Sequence, residues 1–309
     1  MALIIRIGPA RETWWQDHLQ SLLPEIECRL WDEPGDLEEI EYAVVWRPPA
    51  GGLKRFPNLK CIVSVGAGID HILVDPERPR HVPIIRTTSD DLTQRMREYV
   101  CLHVLRHHRR LPEIDDIQKT QEWRQTVNPP AYQRRVGIMG LGNLGSDVAK
   151  TLSVIGFDVA GWSRRPKDSA GVKNFAGDDG LEPFLKRSDI LVCLLPLTDA
   201  TRGILNDGLF SKLPPGACLI NAARGEHLVE EDLLPALNDG RIEYATLDVF
   251  HNEPLPAGHP FWDHPRVLVT PHVASLIDPV AGGESIAANL RCFINGEPVP
   301  NLVDLDQGY

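Results

Sequence analysis

From residue 135 onward, short apolar runs alternate with amphipathic stretches. Residues 190–195 (Ile-Leu-Val-Cys-Leu-Leu) form a continuous apolar run, which is typical of a strand that a parallel sheet buries on both faces. Apolar residues at helical spacing follow most such runs, so we predict a doubly wound α/β domain. The predicted strands are residues 135–140, 158–162, 190–195, 217–222, 244–249 and 267–270, and the predicted helices are residues 144–155, 181–186, 207–213 and 230–237.

The first hundred residues show the same rhythm on a smaller scale. This alternation predicts a second parallel-sheet unit of the flavodoxin-like type, which has no dinucleotide-binding glycine fingerprint of its own. The predicted strands are residues 3–7, 28–30, 42–46, 61–65 and 84–86, with a helix at residues 13–23.

Two further helices are expected to connect these units. One should begin at Asp91, where Gln94 would complete a capping box, and should end before Pro112. A final helix should begin at Asp278-Pro279, a cap followed by proline, and return the chain to the first unit. We therefore predict one domain of residues 1–98 and 275–309, and another of residues 99–274.

A glycine-rich turn joins the first strand of the second domain to its helix. Gly140, Gly142 and Gly145 form the pattern G-x-G-x-x-G, which in a strand–turn–helix context is typical of dinucleotide binding. The turn residues predicted to bind the cofactor are Gly140, Leu141, Gly142, Asn143, Leu144 and Gly145. The predicted fold is thus a Rossmann cofactor domain inserted in a flavodoxin-like substrate domain.

The end of the next strand indicates which nicotinamide cofactor binds. An NAD enzyme normally carries Asp or Glu about 20 residues past the glycines, on the ribose hydroxyls. Here the strand ends in Ser163, Arg164 and Arg165, a set that suits a 2′-phosphate better. We predict a preference for NADP(H), with NAD(H) left as an alternative.

Composition excludes several classes of function. The net charge of −11 disfavours binding to nucleic acid. No run approaches the roughly 20 apolar residues of a membrane span, and the N-terminal segment is interpreted as a strand rather than a signal peptide. The six cysteines form no C-x-x-C pair, which predicts a reducing, cytoplasmic setting without zinc. His103 and His107 have metal-binding spacing but no evident third ligand, so no metal is predicted.

Polar residues at the ends of the predicted strands are the candidates for chemistry. Arg224 follows one strand and could bind a carboxylate in bidentate fashion. His272 follows another and could act as a general acid near neutral pH. Glu253, if it lies beside His272, would hold the ring and favour the imidazolium. Each is open to a plainer interpretation as a salt-bridged, solvated or loop residue.

Taken together, five segments resemble the NAD(P)-dependent D-2-hydroxyacid dehydrogenase family. They are residues 140–145, 194–198 (Leu-Leu-Pro-Leu-Thr), 221–225 (Asn-Ala-Ala-Arg-Gly), 248–254 and 271–274 (Pro-His-Val-Ala). Three further segments resemble the glyoxylate/hydroxypyruvate reductase A branch, namely residues 46–49 (Trp-Arg-Pro-Pro), 65–68 (Val-Gly-Ala-Gly) and Gly308-Tyr309.

The resemblance implies a reductase of small 2-oxo acids that forms the D-hydroxy acid. Arg224 would bind the carboxylate and polarise the carbonyl, His272 would protonate its oxygen, and Glu253 would orient His272. Backbone N–H groups of Gly66, Ala67 and Gly68 would hold the other side of the carboxylate, and Trp46 would wall the pocket. The remaining implied cofactor residues are Leu195, Pro196, Thr201, Ala222, Ala223 and Asp248, the last facing the nicotinamide carboxamide. A homodimer through the cofactor domain is also implied.

Two rival functions stay open at this point. One is a same-fold dehydrogenase for another small acid, such as formate dehydrogenase, although that relative pairs its histidine with glutamine rather than glutamate. The other is a non-enzymatic NAD(H)-binding sensor that recruits proteins, like the dehydrogenase-like corepressors.

Overall fold

The structure is a computed structural model that describes residues 1–8, 11–167 and 171–304. Gly308 and Tyr309, on which the resemblance partly rests, lie outside the described residues. The chain forms two compact units. The first comprises Met1–Leu92 together with the C-terminal segment that begins at Ile277, and the second comprises Thr93–Leu276.

Parallel strands and helices alternate along most of the chain. In chain order the elements are β1 (Ala2–Arg6), α1 (Glu12–Leu22), β2 (Glu27–Leu30), β3 (Ile40–Val45), β4 (Cys61–Ser64), α2 (Asp70–Leu73), β5 (Ile84–Arg86), α3 (Asp90–His108), α4 (Leu111–Thr120), β6 (Arg135–Met139), α5 (Asn143–Ile155), β7 (Asp158–Ser163), β8 (Lys173–Ala176), α6 (Gly177–Lys186), β9 (Ile190–Cys193), α7 (Asp207–Phe210), β10 (Ala217–Asn221), α8 (Glu230–Asn238), β11 (Ile242–Leu247), α9 (Pro260–Asp263), β12 (Val267–Val269) and α10 (Pro279–Ile294).

The first unit contains a five-stranded parallel sheet in the order β2-β1-β3-β4-β5. This is the flavodoxin-like order, which reverses between β1 and β3. Apolar faces of α1 and α10, including Trp15 and Leu290, cover one side of the sheet. Trp31, Phe56 and Ile72 pack on the other side. Because both faces are covered, β1 is apolar at nearly every position.

The second unit contains a seven-stranded parallel sheet in the order β12-β11-β10-β9-β6-β7-β8. Counted from β6, this is the Rossmann order with one added strand, and it reverses between β6 and β9. Phe184, Phe210 and Leu237 belong to the core on one face, and Val104 and Leu152 to the core on the other. The predicted fold class, with two doubly wound parallel-sheet domains, is confirmed.

Some local predictions were wrong. Helix α3 ends at His108, before a left-handed Arg110, and Pro112 lies in the first turn of α4, where its missing N–H is harmless. The hydroxyl of Ser89 accepts the N–H of Leu92, so the cap is Ser89 and not the predicted Asp91.

Several elements were absent from the sequence prediction, namely strand β8, helix α4 and the short helices α2 and α9. The edge strand β8 is exposed at its first two residues and carries no strong apolar pattern. No helix is predicted at the position of α4, because Pro112 is interpreted as a helix end. The predicted final helix is confirmed, since Asp278 caps α10 by accepting the N–H groups of Val280 and Ala281.

No helix in the described part of the chain is long and apolar enough to cross a membrane. Nor do the described residues contain a group of three or more His, Cys, Asp or Glu side chains that could hold a metal ion. The histidine pair considered as a metal site is instead buried beneath the second sheet. The Nε2 atom of His107 lies 3.0 Å from the Thr246 hydroxyl.

Burial of these histidines couples the stability of the second unit to pH. Desolvation lowers the pKa of His107 to about 3 and that of His103 to about 4, because burial disfavours the charged ring. The unfolded chain therefore binds more protons between the ordinary histidine pKa and these values. Stability conferred by the neutral rings is present above the unfolded-state pKa and is lost as the pH falls below it.

We predict that His107→Gln reduces the acid sensitivity of folding. Wild type should lose about 2 kcal/mol of unfolding free energy between pH 7.5 and pH 5 through His107 alone, and the glutamine variant should not. Urea titrations followed by circular dichroism at the two pH values measure this difference. The exposed His81 supplies the control, since His81→Gln should preserve the wild-type loss. An equal loss in His107→Gln and wild type would contradict the assignment.

Candidate active site

Strand β6 leads directly into the glycine turn of residues 140–145. Gly140 has a left-handed φ of +99°, and a Cβ atom there would lie 2.6 Å from the Leu194 carbonyl oxygen. A Cβ on Gly145 would lie 1.9 Å from the Gly140 carbonyl oxygen, so glycine is needed for α5 to approach β6 this closely. A Cβ on Gly142 would meet no described atom within 4 Å. The backbone at Gly142 is therefore open to close approach by a ligand.

The N-terminus of α5 has the features of a phosphate site. Its cap residue is Gly142, and no side chain caps the first turn, which begins with Asn143 and Leu144. N–H groups in such a turn, together with the helix dipole, favour an anion. Leu141 is buried against Gly161 of β7, which anchors the turn to the sheet. This open, uncapped glycine turn fits a dinucleotide pyrophosphate.

A basic cluster follows β7, where an NAD enzyme would carry a carboxylate. The buried Ser163 hydroxyl donates to the Arg165 carbonyl at 2.7 Å, which shapes the turn, while Arg164 and Arg165 are exposed. The Nζ atom of Lys167 donates to the Leu141 carbonyl at 2.5 Å, so this amine lies at the glycine turn. Sequence reasoning assigned Lys167 no role, because its proximity depends on the path of the loop.

The loop after β9 borders the same edge of the sheet. Thr201 shapes it, because its hydroxyl donates to the Pro196 carbonyl at 2.7 Å and accepts the Thr198 N–H at 2.9 Å. Leu195 is buried in the core of this unit. On the adjacent strand, the Ala222 N–H donates to the Cys193 carbonyl at 3.3 Å, and Ala222 and Ala223 are both buried. The two loops thus lie side by side.

His227, which the sequence analysis did not select, joins these loops. Its Nδ1 accepts the Arg224 backbone N–H at 3.2 Å, and its Nε2 lies 3.3 Å from the Pro196 carbonyl. The side chain is fully buried, and this burial lowers its pKa. A neutral ring that accepts at Nδ1 and donates at Nε2 matches the Arg224 N–H and the Pro196 carbonyl, and the Arg224 carbonyl also lies 3.2 Å from Nδ1. His227 therefore acts as a fixed connection between the Arg224 backbone and the Pro196 loop.

Arg224 lies just past β10, half-buried at the carboxyl edge of the sheet. Its Nη1 donates to the Ala223 carbonyl at 2.6 Å, and its own carbonyl accepts from the Asn221 side chain at 3.0 Å. Gly225 packs so closely on the next loop that a Cβ there would lie 2.0 Å from the carbonyl carbon of Phe250. The arginine turn is thereby pressed against the loop that carries Glu253.

Asp248 follows β11 at the carboxyl edge of the second sheet, where its side chain accepts several hydrogen bonds. Its carboxylate is buried and accepts the Val273 and Ala274 N–H groups at 2.9 Å and the Thr270 hydroxyl at 2.6 Å. Desolvation raises the pKa of Asp248 despite these donors. The Tyr99 hydroxyl in turn lies 2.7 Å from the Thr270 hydroxyl. Asp248 thus fixes the turn that follows β12, a structural role that the sequence analysis did not assign.

His272 and Glu253 form a direct pair. The Nδ1 atom of His272 lies 2.9 Å from Oε2 of Glu253, with 31% and 16% of the two side chains exposed. The second carboxylate oxygen of Glu253 accepts the Phe250 N–H at 3.2 Å. His272 has a left-handed φ of +53°, which is uncommon for a residue with a Cβ. Its N–H donates to the Asp248 carbonyl at 2.9 Å, so Asp248 and its neighbours hold this conformation.

The predicted substrate residues of the first unit also lie at the carboxyl ends of strands. Trp46 follows β3 and is partly buried, and its ring lies 3.2 Å from the position that a Cβ on Gly66 would take. Gly66, Ala67 and Gly68 follow β4. The Gly66 carbonyl accepts the Thr87 N–H at 3.3 Å. Trp46 and the glycine-containing loop are therefore brought together in this unit.

Comparisons with known proteins place this chain near one group of enzymes. A family model described as "D-isomer specific 2-hydroxyacid dehydrogenase, NAD binding domain" matches residues 101–274. The chain is 45% identical over 301 residues to glyoxylate/hydroxypyruvate reductase A of Serratia proteamaculans, with 96% of each protein covered.

Solved structures with a similar fold include that of a protein from Xanthobacter autotrophicus. That D-isomer specific 2-hydroxyacid dehydrogenase, in complex with NADPH and MES, has a TM-score of 0.93 and 42% identity, covering 100% of this chain and 99% of the other. An NADPH-dependent glyoxylate/hydroxypyruvate reductase from Sinorhizobium meliloti, in complex with NADP and sulfate, has a TM-score of 0.91 and 38% identity, covering 100% and 99%.

Proposed function

The chain belongs to the D-isomer specific 2-hydroxyacid dehydrogenase family, and from this premise we propose that it reduces small 2-oxo acids to D-2-hydroxy acids with NADPH. The observation that carries the proposal is the His272–Glu253 pair beside the Arg224 turn, at the carboxyl edge of a Rossmann sheet. We assign the second unit to the cofactor and the first to the substrate. The relatives named above support glyoxylate and hydroxypyruvate as the substrate class.

His272 is the proposed general acid for reduction. Glu253 accepts a hydrogen bond from Nδ1, so Nε2 is the nitrogen that exchanges a proton with the carbonyl oxygen. The carboxylate fixes both the tautomer and the orientation of the ring, and the pinned backbone of His272 limits its movement. A positioned acid of this kind contributes about 10²- to 10⁴-fold to a rate.

Arg224 is the proposed group that binds the substrate carboxylate and polarises the carbonyl. A planar guanidinium matches a carboxylate in bidentate geometry, and its charge opposes the negative charge that develops on the oxygen. Its turn is held by Asn221 and His227, which preorganises the backbone before substrate binds. Backbone N–H groups of Gly66, Ala67 and Gly68 are proposed to bind the carboxylate from the first unit, with Trp46 as the pocket wall.

The residues of the second unit fit NADP(H) better than NAD(H). The glycine turn would hold the pyrophosphate, and Ser163, Arg164 and Arg165, joined by Lys167, would hold the 2′-phosphate side. Leu195, Pro196, Thr201, Ala222, Ala223 and Asp248 are proposed to line the remainder of the cofactor site. When bound, NADPH supplies the hydride. At the end of β7, arginine and lysine side chains stand where an NAD enzyme would carry a carboxylate. We propose that they confer the preference for NADP(H).

We also propose a cytoplasmic location. All six cysteines lie in the described part of the chain as free thiols. Burial raises the pKa of Cys61, Cys193 and Cys218 to about 12 in each case, which keeps these thiols protonated. Free, unreactive thiols suit a reducing compartment.

The substrate and the role of His272 are tested together. Wild type should consume NADPH when glyoxylate, hydroxypyruvate or pyruvate is added, and the absorbance of NADPH measures this consumption. His272→Ala should lower kcat by about 10²- to 10⁴-fold. Glu253→Gln should lower kcat less, because glutamine can still bond to the ring. His251→Ala is the control, since this exposed histidine bonds to the Leu228 carbonyl instead.

Near-normal turnover in His272→Ala would refute its role as the acid. Binding of NADPH by wild type, without consumption in the presence of any of the three acids, would instead favour the non-enzymatic sensor.

The cofactor preference should depend on the basic cluster. Replacing Arg164 and Arg165 with glutamine should reduce the ratio of NADPH to NADH affinity by about 100-fold or more, because two charge-assisted hydrogen bonds are lost. Fluorescence titration with each nucleotide gives the two dissociation constants. Lys150→Gln, which removes a charge from the exposed face of α5, should leave the ratio unchanged. An unaltered ratio in the double variant would exclude the arginines as its source.

A homodimer through the second unit is proposed from its exposed apolar side chains. Trp123 and Val127 are 94% and 99% exposed on the segment that follows α4, and Ile114 of α4 is 42% exposed. We propose that a second copy covers these side chains in the dimer. Sedimentation should give twice the 34.5 kDa chain mass, and Trp123→Ser should weaken association. Val154→Ser, which changes an 89% exposed side chain on α5, should not. A monomeric wild type at micromolar concentration would exclude this dimer.

A further inference from the structure

A buried hydrogen-bonded chain in the first unit joins the two loops assigned to substrate. His71 of α2 is 8% exposed, and Ser64 at the end of β4 is fully buried. The Arg47 backbone N–H donates to Nδ1 of His71 at 3.1 Å, and Nε2 of His71 lies 3.0 Å from the Ser64 hydroxyl. The Ser64 hydroxyl donates to the Gly68 carbonyl at 2.8 Å. The chain therefore runs from the Trp46-Arg47 turn to the loop of residues 66–68.

The direction of these bonds assigns the tautomer of His71. A backbone N–H can only donate, so Nδ1 must accept and the proton must lie on Nε2. Nε2–H then donates to Ser64, whose own proton goes to the Gly68 carbonyl. Each donor in this sequence meets an acceptor, so the neutral ring is matched at both nitrogens.

Each end of this hydrogen-bonded chain sets the orientation of a backbone segment. Arg47 has a left-handed φ of +48°, which is unfavourable for a residue with a Cβ and is held here by the bond to His71. At the other end, Ser64 holds the Gly68 carbonyl and Thr87 holds the Gly66 carbonyl. In a trans peptide the next N–H points opposite to the carbonyl. The N–H groups of Ala67 and Ile69 therefore point away from Ser64 and Thr87.

The same histidine also supports the pocket wall. The rings of His71 and Trp46 have centroids 4.4 Å apart, inclined at 52°. On the loop side, the Trp46 ring lies 3.2 Å from where a Cβ on Gly66 would stand, so the indole rests between His71 and the loop. Movement of His71 would thus displace the indole and the peptide planes together.

Stability alone does not account for this pair. The surrounding cores are apolar, and an apolar pair of similar volume could fill such a space but could hold neither the Arg47 N–H nor the Gly68 carbonyl. What the hydrogen-bonded pair adds is directional control over two backbone segments. Both segments are the ones to which the proposed function assigns substrate contacts.

We propose that His71, acting through Ser64, is a positioning residue for binding of the substrate carboxylate. This inference rests on the proposed function. His71 itself does not contact the acid. Through Ser64 it fixes the Gly68–Ile69 peptide plane, at the end of the loop whose N–H groups are assigned to the carboxylate, and it seats Trp46 as the pocket wall. NADPH binding, which is assigned to the second unit, does not depend on it.

The test uses three substitutions at His71 in the full-length, NADPH-loaded protein. His71→Leu removes both hydrogen bonds. His71→Asn keeps an acceptor near Nδ1 for Arg47, and His71→Gln keeps a donor near Nε2 for Ser64. Ser64→Ala breaks the chain at its second member. Gln20→Ala is the matched control, because Gln20 bonds the backbone of Ile26 and Cys28 in the same unit but touches neither loop.

Two measurements separate positioning from general destabilisation. The KM for glyoxylate and the calorimetric dissociation constant for oxamate, a 2-oxo acid analogue that is not reduced, should both rise by about 10-fold or more in His71→Leu. The asparagine and glutamine variants should lie between wild type and His71→Leu. The dissociation constant for NADPH should stay within about 2-fold of wild type throughout. Gln20→Ala should lower Tm without raising either acid constant.

Unchanged acid constants in His71→Leu, or an equal rise in Gln20→Ala, would overturn the inference while leaving the proposed function intact. If His71→Leu does not fold, unchanged constants in Ser64→Ala and His71→Asn would have the same consequence. A wild type that binds NADPH but neither reduces a 2-oxo acid nor binds oxamate would remove the proposed function, and this inference with it.

Discussion

The buried carboxylate of Asp248 fixes the turn on which the candidate chemistry depends. It binds the N–H groups of Val273 and Ala274 and the hydroxyl of Thr270, while the Asp248 backbone carbonyl binds the N–H of His272. These contacts hold His272 in a left-handed conformation that its side chain disfavours. Burying a carboxylate is costly, and the raised pKa of Asp248 records that cost. The donors around it offset the cost and leave His272 with little freedom.

The rest of the edge is organised by the parallel sheet. All strands of the second sheet run the same way. The strands that end at Met139, Cys193, Asn221 and Leu247 therefore end at one edge of the sheet, and the segments that follow them collect there. The glycine turn, the Pro196 loop, Arg224 and the loop of Glu253 are these segments. Direct contacts then tie neighbours together, with His227 joining two loops and Gly225 packing on the Phe250 backbone. Preorganisation of the site comes from these links.

Burial separates two roles among four histidines of this chain. His71, His107 and His227 are buried, and each meets a hydroxyl, a backbone group or both. Burial lowers the pKa of His107 and of His227, so both rings are neutral hydrogen-bonding groups. His272 differs because it is partly exposed and has a carboxylate partner. The same side chain thus serves as a structural connector inside the fold and as the candidate acid at its edge.

The amino-acid sequence alone determined the fold class, the glycine turn and the residue types at the strand ends. These signals are local, since apolar runs, helical spacing and G-x-G-x-x-G can each be recognised within a short window. The final helix was predictable for the same reason, because Asp278 and Pro279 are adjacent. What only the tertiary structure decided is which distant residues meet. Lys167 at the Leu141 carbonyl, His227 between Arg224 and Pro196, and His71 between Arg47 and Ser64 depend on loop paths and on burial. No short window of sequence encodes these contacts, because they follow from packing of segments far apart in the chain.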